Sequence, residues 1–194
     1  MRTVVIDPGH GGSDPGCVHH GLVEADWTWS LAKRLVDVVA PDEQLRATLT
    51  RYERDASMSL RSRCRMANAL DADLFLSIHV NASRRPSPRG LWLLHASSAY
   101  PETKRAACVV LDHVRQGLAE VVPPAWVDRD PRTDMMASGH GLTVLRSTRM
   151  PALLVECGFA SNPDDAALIQ DETFQELLIG ALALGIVRCF RETD

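Results

Sequence analysis

Leu74-Phe75-Leu76-Ser77-Ile78-His79-Val80 is the stretch on which the fold turns. It is apolar at every position except Ser77 and His79, and it reads as a central strand. Outward from it, short apolar runs alternate with helical segments. Residues 3–7 form a buried strand ended by Pro8-Gly9, and residues 45–50, 90–95, 142–146 and 152–157 read as further strands. Residues 22–39 read as a helix with Trp27, Leu31, Leu35 and Val38 on one stripe. Residues 59–70 read as a second helix, capped by Ser59, with Leu60, Cys64, Ala67 and Leu70 facing inward. Residues 102–121 are helical up to Pro123-Pro124, and 171–190 place Phe174, Leu177, Leu178, Ala181, Leu184 and Val187 at core spacing. Residues 83–89, with two prolines and three arginines, are a loop, and 123–140 is the one long irregular segment, functional or mobile. This alternation predicts an α/β domain with a largely parallel sheet.

The bulk properties agree. The chain has 194 residues, enough for one domain or a domain with a short tail. It is 45% hydrophobic and 24% charged, which suits a globular protein whose core needs no disulfide staples. A net charge of −4 argues against a dedicated nucleic-acid binder. No run of about 18 apolar residues predicts a membrane span, and Met1–Asp7 is apolar for too few residues to be a secretory signal. Cys17, Cys64, Cys108, Cys157 and Cys189 are scattered, odd in number and lack any C-x-x-C pair. They read as free thiols in a reducing compartment and argue against a cysteine zinc site.

Chemistry-bearing residues collect at strand ends. His10 follows the first strand across Pro8-Gly9, His79 closes strand 74–80, and Glu156 closes strand 152–157. In a parallel sheet these C-termini share one edge, where ligands bind. Glu24, in the first turn of helix 22–39, lies at the same edge if the preceding loop stays there. Two His and one Glu suit a catalytic zinc with an open fourth position, and a second, unliganded Glu suits a general base. Each residue read singly fits a structural role as readily. Gly9, Gly11 and Gly12 allow tight backbone bends around His10.

The words themselves resemble a known family. Ile6-Asp7-Pro8-Gly9-His10-Gly11-Gly12 with Asp14-Pro15-Gly16, then Glu24, Leu49-Thr50-Arg51, Leu60 to Arg63 and Ala67-Asn68 are similar to the opening of the zinc-dependent N-acetylmuramoyl-L-alanine amidases of the amidase-3 family. Ser77-Ile78-His79-Val80-Asn81-Ala82 resembles a second motif of that family. Val144-Leu145-Arg146, Pro151 to Phe159 and Ser161-Asn162-Pro163 resemble a third. Three motifs in order, over residues 3 to about 190, are far more specific than one. The resemblance implies a single catalytic domain over 1–194, with a mixed, mostly parallel sheet of about six strands and helices on both faces. It implies one Zn2+ held by His10, Glu24 and His79, and Glu156 as the catalytic carboxylate. The implied reaction is hydrolysis of the amide between N-acetylmuramic acid and the L-alanine that starts the stem peptide of peptidoglycan.

Around that set, Asn81, His140 and Arg84 are candidate substrate contacts. Asn81 reads equally as a turn residue, and Arg84, with Arg85 and Arg89, suits either the acidic stem peptide or a solvated loop. Trp92 and Trp126 suit sugar stacking or burial, and Arg63 and Asn68 a packing role. Family members that are secreted carry a signal peptide and many carry wall-binding repeats. Neither is seen here, so the expectation is a protein without a separate cell-wall-binding domain, made in the cytoplasm; with no coiled coil or apolar tail left unassigned it is expected to be a monomer, with no nucleic-acid or membrane partner. That profile suits a phage or prophage lysin. The alternatives are a cytoplasmic amidase of soluble muropeptides and a catalytically silent peptidoglycan-binding module.

Overall fold

The computed structural model describes residues 1–191. The last three residues of the 1–194 domain expected from sequence lie outside the described residues. Along the chain run β1 (Arg2–Pro8), β2 (Val18–His19), β3 (Leu22–Val23), α1 (Glu24–Val39), β4 (Leu45–Leu49), α2 (Leu60–Ala69), β5 (Leu74–Asn81), β6 (Trp92–His95), α3 (Pro101–Gly117), β7 (Arg132–Thr133), α4 (Asp134–Ser138), α5 (Thr143–Arg146), β8 (Ala152–Phe159), α6 (Pro163–Gln170) and α7 (Glu172–Arg191). The main sheet has the order β4-β1-β5-β8-β6-β7. The first four strands are mutually parallel, and β6 runs antiparallel to β8. The expected mixed, mostly parallel six-stranded sheet is therefore present, with 74–80 at its centre.

Strand alternation divides the core in two. Val4, Ile6, Leu76, Ile78, Leu153 and Val155 point to the face covered by α1, α3 and α7, where they meet Leu31, Leu35, Val110, Leu178 and Leu182. Val5, Phe75 and Leu154 point to the face covered by α2 and α5, against Cys64, Ala67, Val144 and Leu145. Two residues further along this second face come Asp7, Ser77 and Glu156, and four beyond Phe75 comes His79. One parity thus carries the apolar floor and, at the C-terminal edge, the polar groups. α7 is long and apolar enough to cross a bilayer by length and composition alone; its buried face, including Phe174, Leu178, Leu182 and Ile186, belongs to the core under the sheet.

Several sequence expectations shift. Val38 is exposed and Val39 buried in its place, because the buried face of α1 is centred on Thr28 and Leu35, with Ala32 and Val39 on one flank, and Val38 falls at its opposite edge. Leu184 is exposed because the buried face of α7 is centred on Leu178 and Leu182, which turns Ala183 and Ile186 inward and Leu184 away. Leu60 is exposed at the start of α2, although Ser59 caps that helix as expected, accepting from the Ser62 N–H at 3.2 Å. Residues 142–146 form the short helix α5, not a strand. Adjacent Val144 and Leu145 are both buried, which one helical face permits and an alternating strand does not. α3 stops at Gly117, short of 121, where Leu118 and Val122 turn into the core. The 123–140 segment contains β7 and α4. A further helix absent from the sequence reading, α6, is capped by Asn162 with Pro163 in its first turn.

The 134–146 segment is pinned by one buried carboxylate. Asp134 accepts from the N–H groups of Ser97 and Met135 at 2.9 Å and Leu142 at 3.1 Å, and from Arg146 Nε at 2.6 Å. Burial works to raise its pKa, but the Arg146 guanidinium and the N–H donors outweigh it and hold it well below the ordinary 3.8. A depressed carboxyl pKa contributes stability above about pH 4, which is lost as pH falls through the folded-state value. Urea unfolding at pH 5 and pH 3 should therefore show a larger loss of stability in the wild type than in Asp134→Asn, whose starting stability is lower. Equal losses would show that Asp134 carries none of the acid sensitivity.

Candidate metal centre

The loop after β1 is shaped by two buried guanidiniums. Arg63 donates to the Pro8 carbonyl at 2.6 Å and the His10 carbonyl at 2.5 Å, while holding Asp7 Oδ1 at 2.7 Å. Arg51 donates to the carbonyls of Pro8 (3.3 Å), Gly9 (3.2 Å) and Ala25 (2.6 Å). Asp7 is itself saturated, accepting also from Thr50 Oγ1 at 2.5 Å and Ser77 Oγ at 2.7 Å. His10 is held in the left-handed region at φ +59°, a conformation that costs energy and is kept only when surroundings impose it.

Two glycines make room for the imidazoles and the carboxylate of the site. A Cβ on Gly9 would lie 2.4 Å from His79 Cε1. A Cβ on Gly16, which sits at φ +67°, would lie 2.5 Å from Glu24 Oε2 and 2.7 Å from His10 Cδ2. His10, Glu24 and His79 thus fill space that any other residue at 9 or 16 would occupy.

His10 Nε2 lies 3.2 Å from Glu24 Oε1, and His79 Nδ1 lies 3.0 Å from the same oxygen. One ligand atom from each of the three residues falls within 4.8 Å of the others. Glu24 opens α1, where the helix dipole favours a carboxylate. Its Oε1 accepts from the Val80 N–H at 3.0 Å and its Oε2 from the Cys17 N–H at 2.8 Å. Burial pushes its pKa up, but the hydrogen bonds to His10 and His79 prevail and hold it well below the carboxylate range. The bond to Glu24 in turn raises His10 to about 9, against burial. His79 is raised too, because Glu24 and Glu156 outweigh its burial. Asp14 Oδ2 sits 2.8 Å from His10 Nδ1, fixing the ring's orientation. Two imidazoles and one carboxylate converging on one point, with a cleft of about 410 Å³ opening beside them between His10, His79, Met58 and Leu60, fit an open-sided zinc site.

Glu156 is the register partner of His79 on β8. Its Oε2 is buried, and no described residue donates a hydrogen bond to it. Leaving a buried acceptor unmet costs roughly 1–3 kcal/mol, so its retention points to chemistry. Burial pushes its pKa up to about 7, against the pull of the His79 charge, which suits a group that must both take and give a proton near neutrality.

The structure therefore brings together His10, Glu24, His79 and Glu156. It joins none of the other three candidates to them by a hydrogen bond among the described residues. Asn81 ends β5, its Oδ1 accepting from the Ala82 N–H and its backbone carbonyl from Ala160. His140 is exposed in the α4–α5 turn, with Nδ1 3.2 Å from the Gly141 carbonyl. Arg84 is exposed in loop 83–89. Trp126 is buried, donating to Asp165 at 2.7 Å. One contributor escapes the sequence reading, and one candidate, Trp92, is placed only by strand pairing. Asp14 as the anchor of His10 is signalled only by its place four residues on. The half-buried Trp92, opposite Glu156 on β6, requires the strand pairing to be known.

The sequence profile of the N-acetylmuramoyl-L-alanine amidase family matches residues 4–188. The chain is 34% identical, over 190 residues, to the N-acetylmuramoyl-L-alanine amidase CwlM of Bacillus licheniformis, spanning 98% of this chain and 69% of that protein. It is 31% identical over 173 residues to the endolysin of Bacillus phage SPP1, covering 89% of this chain and 60% of the relative. Among solved structures, the catalytic domain of CwlV, an amidase of Bacillus (Paenibacillus) polymyxa, superposes with a TM-score of 0.86 at 30% identity, over 98% of this chain and 99% of that one.

The Asp14 contact can be tested without touching a candidate ligand. Losing an outer-shell partner typically weakens metal affinity about 10–100-fold. Asp14→Ala should show that drop in competition with a chromophoric zinc chelator while its thermal unfolding stays near wild type. Unchanged affinity would remove Asp14 from the site.

Proposed function

This chain belongs to the N-acetylmuramoyl-L-alanine amidase family and hydrolyses the amide between N-acetylmuramic acid and L-alanine in peptidoglycan; from that premise we propose that it works with one zinc ion held by His10, Glu24 and His79, and with Glu156 as its general base and acid. The observation that carries this reading is a half-buried carboxylate with one buried, unmet oxygen beside a converging His-Glu-His set.

Amides are poor electrophiles. When bound, zinc supplies Lewis acidity toward the carbonyl and the attacking water. The chain's own residues do the rest. Glu24, locked by two backbone N–H groups, stays ionised, as a metal ligand must. Asp14 holds the His10 ring. Glu156, with its raised pKa, takes a proton from water and passes it to the departing alanine nitrogen.

We further propose that the biological role is that of a phage or prophage lysin acting on the intact wall; the similarity to a phage endolysin supports this reading. Digestion of whole sacculi and of soluble muropeptides separates it from a role confined to soluble fragments.

Mass spectrometry of digested peptidoglycan should show free stem peptides beginning with L-alanine, together with glycan strands bearing unsubstituted lactyl groups. Both should vanish on chelation. Glu156→Gln should retain zinc and lose about 10²–10⁴-fold in turnover, while His10→Ala and His79→Ala lose zinc and activity together. Disaccharide-peptide products, or wild-type turnover in Glu156→Gln, would overturn the reading.

A further inference from the structure

The sheet order gives the cleft a direction. His10 follows β1, His79 stands near the end of β5, Glu156 stands on β8, and Trp92 stands opposite Glu156 on β6. If Glu156 protonates the departing nitrogen, that nitrogen lies on the β8 side of the two imidazoles. The acyl half of the substrate then lies over His10. The peptide half continues over β6.

The two sides differ in charge. The cleft of about 410 Å³ on the His10 side is walled by Gly11, Ser57, Met58 and Leu60. Its cation, Arg63, is buried and engaged by Asp7 and backbone carbonyls, and its accessible charge is Asp14. That wall suits an uncharged lactyl-sugar unit. On the β6 side, the Arg132 guanidinium lies 3.9 Å from the centroid of the Trp92 ring. Trp92 is braced edge-on by Phe159, with ring centroids 4.9 Å apart. Asp128 accepts from Nε and Nη2 of Arg132. Nη1 has no hydrogen-bond acceptor among the described residues, and a third of the side chain is exposed. A guanidinium stacked on an aromatic ring and clamped along one edge is preorganised to present its other edge to a carboxylate.

We propose that Arg132, stacked on Trp92, is a specificity-determining residue that binds a carboxylate of the acidic stem peptide as the peptide runs from Glu156 across β6. This deepens the amidase reading and rests on it. Residues of an extended peptide advance about 3.5 Å each, and directly opposed residues of an antiparallel pair lie about 5 Å apart. A carboxylate on the first acidic residue after L-alanine is therefore at the right scale to meet Arg132. The bond-breaking step stays as described; Arg132 acts on substrate choice.

The test uses the zinc-loaded protein and two synthetic muramoyl peptides. They are identical except that the α-carboxylate of the glutamate after L-alanine is free in one and a carboxamide in the other. Wild type should favour the free acid about tenfold in kcat/KM, mainly through KM, and added salt should shrink the preference. Arg132→Gln should bring the ratio near one, and Arg132→Lys, which keeps the charge but loses the planar fork, should restore part of it. Equal cleavage of both peptides by wild type would overturn the assignment and leave the amidase reading standing. So would a preference that survives in Arg132→Gln and disappears in Arg84→Gln. Cleavage of neither peptide, by a preparation that also releases no stem peptide from whole sacculi, would overturn the amidase reading and this assignment together.

Discussion

Two guanidiniums closed inside the protein hold the rest of the site in place. Arg51 and Arg63, at 2% and 3% exposure, converge from the segment after β4 and from α2 on three successive carbonyls at the end of β1. A chain leaving a parallel strand would normally present those carbonyls to solvent or to a helix. Here they are consumed by buried donors, and the bend they impose turns His10 back over the sheet edge. Arg63 is tolerated in the interior because Asp7 faces it at 2.7 Å and the remaining bonds of that carboxylate are filled by Thr50 and Ser77. Removing either partner leaves a buried charge unmatched, at a cost of about 3–5 kcal/mol. The His10 loop is therefore coupled to the integrity of the β1–β4–α2 packing.

On that frame the fold places two glutamates in opposite electrostatic regimes within one edge of the sheet. Glu24 receives two backbone N–H groups, two imidazoles and a helix N-terminus, and stays ionised. Glu156 receives burial and no hydrogen-bond donor to its Oε2 among the described residues, and its pKa rises to about 7. Same side chain, two proton affinities: in the mechanism proposed here, that difference separates a fixed ligand from a proton carrier. Strand parity brings this about. Phe75-Ser77-His79 and Leu154-Glu156 share the face whose floor is apolar, so the reactive groups emerge where that floor ends.

Much of this is legible in the sequence because it is local or topological. The apolar runs at 3–7, 74–80 and 152–157 each announce a buried strand, and parallel topology alone brings His10, His79 and Glu156 to one edge. Glu24 is legible from its place at a helix start. The features that escape depend on long-range pairing. Nothing local in Arg51 or Arg63 reveals that they clamp a loop some 40 to 55 residues earlier. Trp92 stands beside Glu156 only because β6 runs antiparallel to β8. Residues 142–146 read as a strand because a five-residue stretch with three apolar positions carries no usable periodicity; the buried neighbours Val144 and Leu145 and the reach of Arg146 to Asp134 decide it as a helix. Spacing turns Leu60 inward, yet the first turn of α2 lies at the cleft, where an apolar side chain forms a wall.

In the proposed site one zinc ion sits between His10, Glu24 and His79, with Glu156 close by but unliganded. Anomalous diffraction at the zinc edge from crystals of the zinc-loaded protein tests it most directly. One strong peak is expected at about 2.0–2.2 Å from a nitrogen of each imidazole and an oxygen of Glu24, with no bond to Glu156. A peak bonded to Glu156, or zinc bound only elsewhere on the surface, would contradict it.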